Sequence, residues 1–224
     1  MGVECTVRTV PTSIPPRPVL RVPRGLLLAW PLLLVLLMLF GAPARSEPDA
    51  VRIVEGQRMA LQAQVAGADL QLNGTGVRAV AWFKGYVAAL YLPAQARTLA
   101  QVLGQSGPKR LQLRMLQDVP AQEFVKALNK GVARNATPAQ WEALAPAVKQ
   151  FDDMVALVGT VRKGDVIDID LEPARGLLFS LNGKLRGDPV EGGDLYAALL
   201  RAFLGDKPYD DKLKAGLLSA PLKP

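Results

Sequence analysis

Residues 77–92, VRAVAWFKGYVAALYL, are apolar or small on both of their alternating faces, and this limits the folds open to the chain. The even positions carry Arg78, Val80, Trp82, Lys84 and Tyr86, while the odd ones carry Val77, Phe83 and Val87 with the small residues Ala79, Ala81 and Gly85. Successive side chains of a strand point to opposite faces, so a strand partly apolar on both must lie between two layers. The segment therefore predicts a layered fold, either as one long strand or as two abutting ones, ending at Pro93.

Residues 57–72 alternate as well, through Met59, Leu61, Val65, Leu70 and Leu72, and read as two strands joined by a turn at Ala66-Gly67-Ala68-Asp69. Asn73-Gly74-Thr75-Gly76 reads as a tight turn, because glycine admits positive φ. A short helix over 94–103 closed by Gly104 and a strand over 110–116 follow. A helix then opens at Asp118-Val119-Pro120-Ala121, with Phe124, Leu128 and Val132 as its apolar stripe. Thr137 and Pro138 suit the cap and first position of the next helix, whose stripe is Trp141, Leu144, Val148, Phe151 and Val155 and which Pro146 is expected to kink. A strand over 166–171, a hairpin at Asn182-Gly183, and helices over about 193–204 and 210–218 complete the pattern. This order lacks regular βαβ alternation and predicts one α+β domain, a mainly antiparallel sheet with helices layered on one face.

Residues 26–40, LLLAWPLLLVLLMLF, follow Arg17, Arg21 and Arg24 and end in Gly41-Ala42-Pro43-Ala44. The run is shorter than the ~20 residues of a spanning helix, and Ala42-x-Ala44 suits signal peptidase. The expectation is a cleaved secretory signal over 1–44, a short extension over 45–56 and the folded domain over 57–220. The mature protein would then be periplasmic or secreted, with no stable membrane anchor.

Cleavage would remove the single cysteine, Cys5, and leave 23 basic and 19 acidic residues. That surplus is too small for a nucleic-acid footprint. The chain has no histidine and the mature protein would have no cysteine, so Ser-His-Asp triads, Cys-His pairs, haem ligation and the usual zinc sites are not expected. Asp152-Asp153, Asp165-x-x-Asp168-x-Asp170 and Asp210-Asp211 lack the glycine and terminal glutamate of an EF-hand. They read as solvated charges at helix ends and on the outer face of a strand, and neither metal nor cofactor is expected.

Several runs in order carry a resemblance: Leu72-Asn73-Gly74-Thr75-Gly76-Val77-Arg78, Phe83-Lys84-Gly85-Tyr86-Val87-Ala88-Ala89-Leu90-Tyr91-Leu92-Pro93, Leu116-Gln117-Asp118-Val119, Lys163-Gly164-Asp165, Ser180-Leu181-Asn182-Gly183, and Leu199-Leu200-Arg201-Ala202-Phe203-Leu204-Gly205-Asp206-Lys207-Pro208. Over roughly 60–218 the chain resembles the chalcone isomerase-like family, in particular its bacterial secreted branch. The resemblance implies a curved open-faced β-sandwich with a ligand cleft between sheet and helices. In the plant enzymes of the family a phenolate adds to an unsaturated ketone, and an arginine matching Arg78 steadies the anionic oxygen. Tyr86 stands where those enzymes have a threonine, and Phe124 where they have the catalytic tyrosine. Lys126 and Asn129 lie near two further functional positions on that helix. Non-catalytic relatives bind fatty acids, and by that likeness Arg78 and Tyr86 would grip a carboxylate, with Trp82, Phe124, Lys126 and Asn129 as further ligand-binding candidates. The resulting expectation is a non-enzymatic binder of a small amphipathic anion such as a fatty acid. The alternatives are an isomerase (intramolecular lyase) acting on a flavonoid-like molecule, with Arg78 as its catalytic residue, and a structural or partner-binding domain without a ligand.

Overall fold

The computed structural model describes residues 50–80 and 83–219. The expected signal segment and Trp82 lie outside the described residues.

A seven-stranded sheet organises the fold, in the order β11-β10-β9-β6-β5-β4-β3, with every neighbouring pair antiparallel. Its strands are β3 (Gln62–Val65), β4 (Ala68–Val80), β5 (Phe83–Leu92), β6 (Lys109–Met115), β9 (Val166–Glu172), β10 (Gly176–Leu181) and β11 (Lys184–Leu185). Two small pairs complete the strands: β1 (Val51–Val54) with β2 (Gln57–Ala60), and β7 (Val119–Pro120) with β8 (Thr160–Val161). The helices are α1 (Leu99–Gly104), α2 (Ala121–Asn135), α3 (Pro138–Ala156), α4 (Asp194–Leu204) and α5 (Asp211–Leu217).

Strand β5 is covered on both faces, as its composition requires. Ala88, Leu90 and Leu92 join Leu111, Leu113, Ile167 and Ile169 beneath the helices, in one core with Phe124, Phe151 and Phe203. Val87, Ala89 and Tyr91 face the other way, into a smaller core with Leu70, Leu72 and Met59 of the β1–β2 hairpin. The segment 77–92 is thus two strands folded back on each other, with Val77 opposite Val87 and Val80 opposite Phe83. The architecture is α+β, a curved antiparallel sheet with its main helix layer on one face.

Local chemistry accounts for the element ends. Thr137 accepts from the backbone N–H of Gln140 while the Gln140 side chain accepts from that of Thr137, a reciprocal capping box with Pro138 in the first turn. The helix continues through Pro146. Asn182 and Gly183 have φ of 53° and 73°, the left-handed pair that a two-residue hairpin needs.

Three expectations are corrected. Asn73-Gly74-Thr75-Gly76 is no turn but part of β4. Its glycines are required by close packing: a Cβ on Gly74 would collide with the carbonyl oxygens of Gly216 and Leu217, and one on Gly76 would lie 2.7 Å from Leu213 O. Helix α5 therefore rests directly on the backbone of β4. The pairing register shifts between Leu72 and Gly74, and the intervening Asn73 is wholly buried. Its amide donates to Ala96 O (3.0 Å) and Leu217 O (2.8 Å) and accepts from Ala96 N (2.7 Å). That anchor keeps residues 94–98 out of the helix expected over 94–103, and α1 starts only after its cap, Thr98. Lastly, Asp168 and Asp170 are buried rather than solvated. Arg110 reaches Asp170 through two hydrogen bonds of 2.7 and 2.6 Å, and Gln112 donates to Asp168 at 2.8 Å.

Gly76→Ala is expected to lower the unfolding free energy by about 1–3 kcal/mol in urea denaturation, through overpacking against Leu213. Gly104→Ala, where a Cβ meets nothing within 4 Å, is expected to raise it by about 0.5–1 kcal/mol.

Candidate functional site

The seat of α5 on β4 determines what Arg78 meets. Gly74, Gly76 and Arg78 alternate along β4 on the helix side, opposite Leu90, Ala88 and Tyr86 of β5. The two glycines lie under the body of α5, so Arg78 falls beneath its N-terminal end. There Asp210 caps the helix, its Oδ1 accepting from the backbone N–H of Lys212 (2.8 Å) and Leu213 (3.0 Å). Its other oxygen, Oδ2, stands 3.5 Å from Arg78 Nη1, which also donates to Ala79 O at 3.0 Å. Both side chains are partly exposed, at 26% and 18%. A contact this long and this wet contributes little to stability.

Tyr209 completes the group. Its hydroxyl donates to Leu128 O of α2 at 2.8 Å, and its ring meets Phe203 edge to face at 4.9 Å between centroids. The ring lies in space left by Gly131, where a Cβ would strike it. Tyr86 is half-buried and packs against the helix-side core. Burial pushes the Tyr86 phenol far up; Arg78 opposes the shift and Asp210 adds to it. Tyr209 is also raised, first by burial and then by Tyr86, against the pull of Arg134 and Arg78. Both phenols therefore stay neutral beside the guanidinium and the carboxylate, and Tyr209 already donates its proton to Leu128 O.

The structure brings Arg78 and Tyr86 together as cross-strand partners and does not gather the other candidates around them. Phe124 is buried in the helix-side core. A helix advances about 100° per residue, so Lys126 lies across α2 from the inward stripe of Phe124 and Leu128. It is exposed, 3.9 Å from Glu123. Asn129 donates to Asp152 of α3 at 2.6 Å, and both line a depression of about 400 Å³ between α2 and α3 together with Lys126. Sequence reasoning passed over Tyr209 and over the role of Asp210. Asp210-Asp211 was legible as a helix start, but nothing local signals its partner 132 residues away.

Among the described residues, no group of three or more metal-ligating side chains is placed to hold an ion. No described helix is long and apolar enough to cross a membrane.

All four tyrosines of the chain are raised by burial: Tyr91 to about 12, and Tyr86, Tyr196 and Tyr209 in the same direction. The unfolded chain releases these protons near pH 10.0 while the folded protein still holds them. Their contribution to stability is therefore complete below pH 10 and declines as pH rises through the folded values. In an alkaline titration followed by tyrosinate absorbance and circular dichroism, ionisation is expected to coincide with unfolding. Phenols that titrate near pH 10 with the fold intact would contradict the burial described here.

Compared with known proteins, residues 51–219 match the chalcone isomerase-like family. No curated protein matches the chain. Among solved structures, a fatty-acid-binding protein from Arabidopsis thaliana is similar with a TM-score of 0.57 at 11% identity, over 75% of this chain and 96% of that one. At that identity the likeness concerns the fold alone. With its antiparallel sheet, its helix layer and a family match across nearly all the described residues, the protein belongs to the chalcone isomerase-like family.

Proposed function

We propose that the protein is a non-catalytic binder of a small amphipathic anion such as a fatty acid, with Arg78 holding the carboxylate and Tyr86 donating a hydrogen bond. The observation that carries this reading is the state of the guanidinium. Among the described residues all its hydrogen bonds leave from Nη1, and its one acidic neighbour is a helix cap 3.5 Å away. Nε and Nη2 are the donors assigned to the ligand, in the fork geometry that suits a carboxylate. Tyr209 borders the pair with its ring, its hydroxyl proton being held by Leu128 O. Each buried CH₂ of an acyl chain would add ~0.8 kcal/mol. The depressions between α2, α3 and α4 and beside α1 and β9 lie away from Arg78, so entry of the ligand is proposed to displace Asp210 from Arg78. The fatty-acid-binding protein of similar fold supports the ligand class.

Delivery to the periplasm or the exterior is part of the same proposal and rests on residues 17–44. N-terminal sequencing of the mature protein is expected to begin at Arg45, and an intact N-terminus would sink this part.

Mass spectrometry of small molecules released from the purified protein is expected to show a co-purifying carboxylate that Arg78→Ala loses, with at least about a tenfold fall in fatty-acid affinity. Asp210→Asn keeps the helix cap but removes the competing charge, so it is expected to bind fatty acid more tightly than the wild type. Unchanged affinity in Arg78→Ala would refute the carboxylate grip, and cyclisation of a chalcone by the wild type would refute a purely binding role.

A further inference from the structure

The run Leu199-Leu200-Arg201-Ala202-Phe203-Leu204-Gly205 forms most of α4 and the turn after it, and all of its residues but one are buried. The exception is Arg201, which is half-buried. A helix brings positions i, i+4 and i+7 to one face, so Arg201 shares a stripe with Asp194 and Ala198. That stripe lines a cavity of about 250 Å³ whose other walls are the end of α2 and the first turns of α3. None of its lining residues belongs to the group around Arg78.

Two of the walls are fixed by bonds within the chain. Asn135 donates to Gly131 O and Lys207 O, both at 2.9 Å, and accepts from Lys207 N at 3.2 Å, which ties the end of α2 to the turn beyond α4. Gln140 is held by Thr137, whose backbone N–H donates to its Oε1 at 2.9 Å. Val132, Ala143 and Leu144 supply apolar surface. The α4 wall is different: among the described residues, neither Arg201 nor Asp194 forms an ion pair or a side-chain hydrogen bond. An exposed acid such as Asp194 is readily solvated, but a half-buried guanidinium carries five N–H donors that the surrounding side chains do not meet. The acid in the first turn and the base in the last both suit the dipole of α4, yet that placement gives neither side chain a partner.

We infer that this cavity binds a short linear zwitterion, an ω-amino carboxylate, with its carboxylate on Arg201 and its ammonium on Asp194. The site carries one charge of each sign, so a ligand with one of each meets both. A simple anion or cation would instead leave a like charge facing it. The two Cα positions stand about 10 Å apart along the helix, and helical side chains lean toward its N-terminus, which brings the guanidinium back toward Asp194. Charges several carbons apart fit that spacing, whereas those of an α-amino acid are too close together. The volume falls below the roughly 300–1,000 Å³ of pockets for drug-sized ligands, so the chain between the charges is short.

Amide-resolved NMR titration of the whole protein with 6-aminohexanoate, hexanoate, hexylamine and glycine tests the inference. The ligands are compared in Arg78→Ala, which removes the carboxylate site proposed above. The zwitterion 6-aminohexanoate is expected to saturate one site in the wild type and in Arg78→Ala alike, with shifts concentrated at the end of α2, the start of α3 and along α4. Hexanoate, hexylamine and glycine should each bind there at least about tenfold more weakly. Arg201→Gln should weaken 6-aminohexanoate by about tenfold or more. Asp194→Asn should reverse the preference, so that hexanoate binds better than 6-aminohexanoate. Ala143→Leu, at an exposed position of α3, should fill the cavity and abolish binding without lowering the melting temperature. The inference is overturned if 6-aminohexanoate does not saturate the site, in which case the two charges serve only the helix dipole. It is equally overturned if hexanoate binds as tightly as 6-aminohexanoate, or if Asp194→Asn leaves the preference unchanged. Should Arg201→Gln fail to fold, undiminished binding in Ala143→Leu overturns it alone.

Discussion

The contact on which the candidate site depends is that of α5 with β4, made without side chains between them. Gly74 and Gly76 present bare backbone to the helix, and Gly216 presents bare backbone to the strand, where a Cβ would collide with Thr75 O. Residues larger than glycine would hold the helix off by the width of a methyl group or more, because packed backbones cannot yield by that amount. Asn73 locks the same contact from the side, tying the C-terminal end of α5 and the β5–α1 loop to the strand. One run of β4 therefore anchors a helix, receives it, and places Arg78 under its N-terminus.

The electrostatics of the two sheet faces differ accordingly. On the helix side, Arg78 meets an acid that is already engaged as a helix cap, at a distance that leaves the pair weak. On the other face, Arg110 and Asp170 form a two-pronged ion pair as direct cross-strand partners, with Gln112 and Asp168 paired in the next like-facing position. Burial pushes Asp170 up while Arg110 opposes the shift. Such buried pairs are poor sources of net stability but demanding of register: a slip of one residue would send every partner to the wrong face. Arg110 is thus committed to the sheet, whereas Arg78 is held loosely at the edge of the helix layer.

Much of the fold was legible in short-range pattern. The alternation of β6 and β9, the Thr137-Pro138 helix start and the Asn182-Gly183 hairpin each carry their cause within a few residues. Two features read wrongly for one reason. Asn73-Gly74-Thr75-Gly76 has the composition of a turn, and Asp168 and Asp170 have the composition of a solvated strand face. What overrides composition in both is a partner distant in the chain, α5 for the glycines and β6 for the aspartates. Glycine serves a turn through its φ and a close contact through its missing side chain, and local sequence does not separate these uses.

The candidate site divides in the same way. Arg78 and Tyr86 were legible as a pair through their shared parity along 77–92 and the family resemblance, whereas the structure pairs them across two strands, with the register shifting just beyond Arg78. Tyr209 and Asp210 were not, because they reach Arg78 only through the packing of α5 on β4. Phe124, Lys126 and Asn129 share a helix, yet its phase sends the first inward and the other two toward α3. By itself the sequence determined most of the elements, the two-sided burial of β5 and the exclusion of histidine chemistry, since these follow from residue type and short-range spacing. Only the tertiary structure decided which charges meet, because burial and ion pairing depend on contacts between segments far apart in the chain, 60 residues for Arg110 and Asp170 and 132 for Arg78 and Asp210.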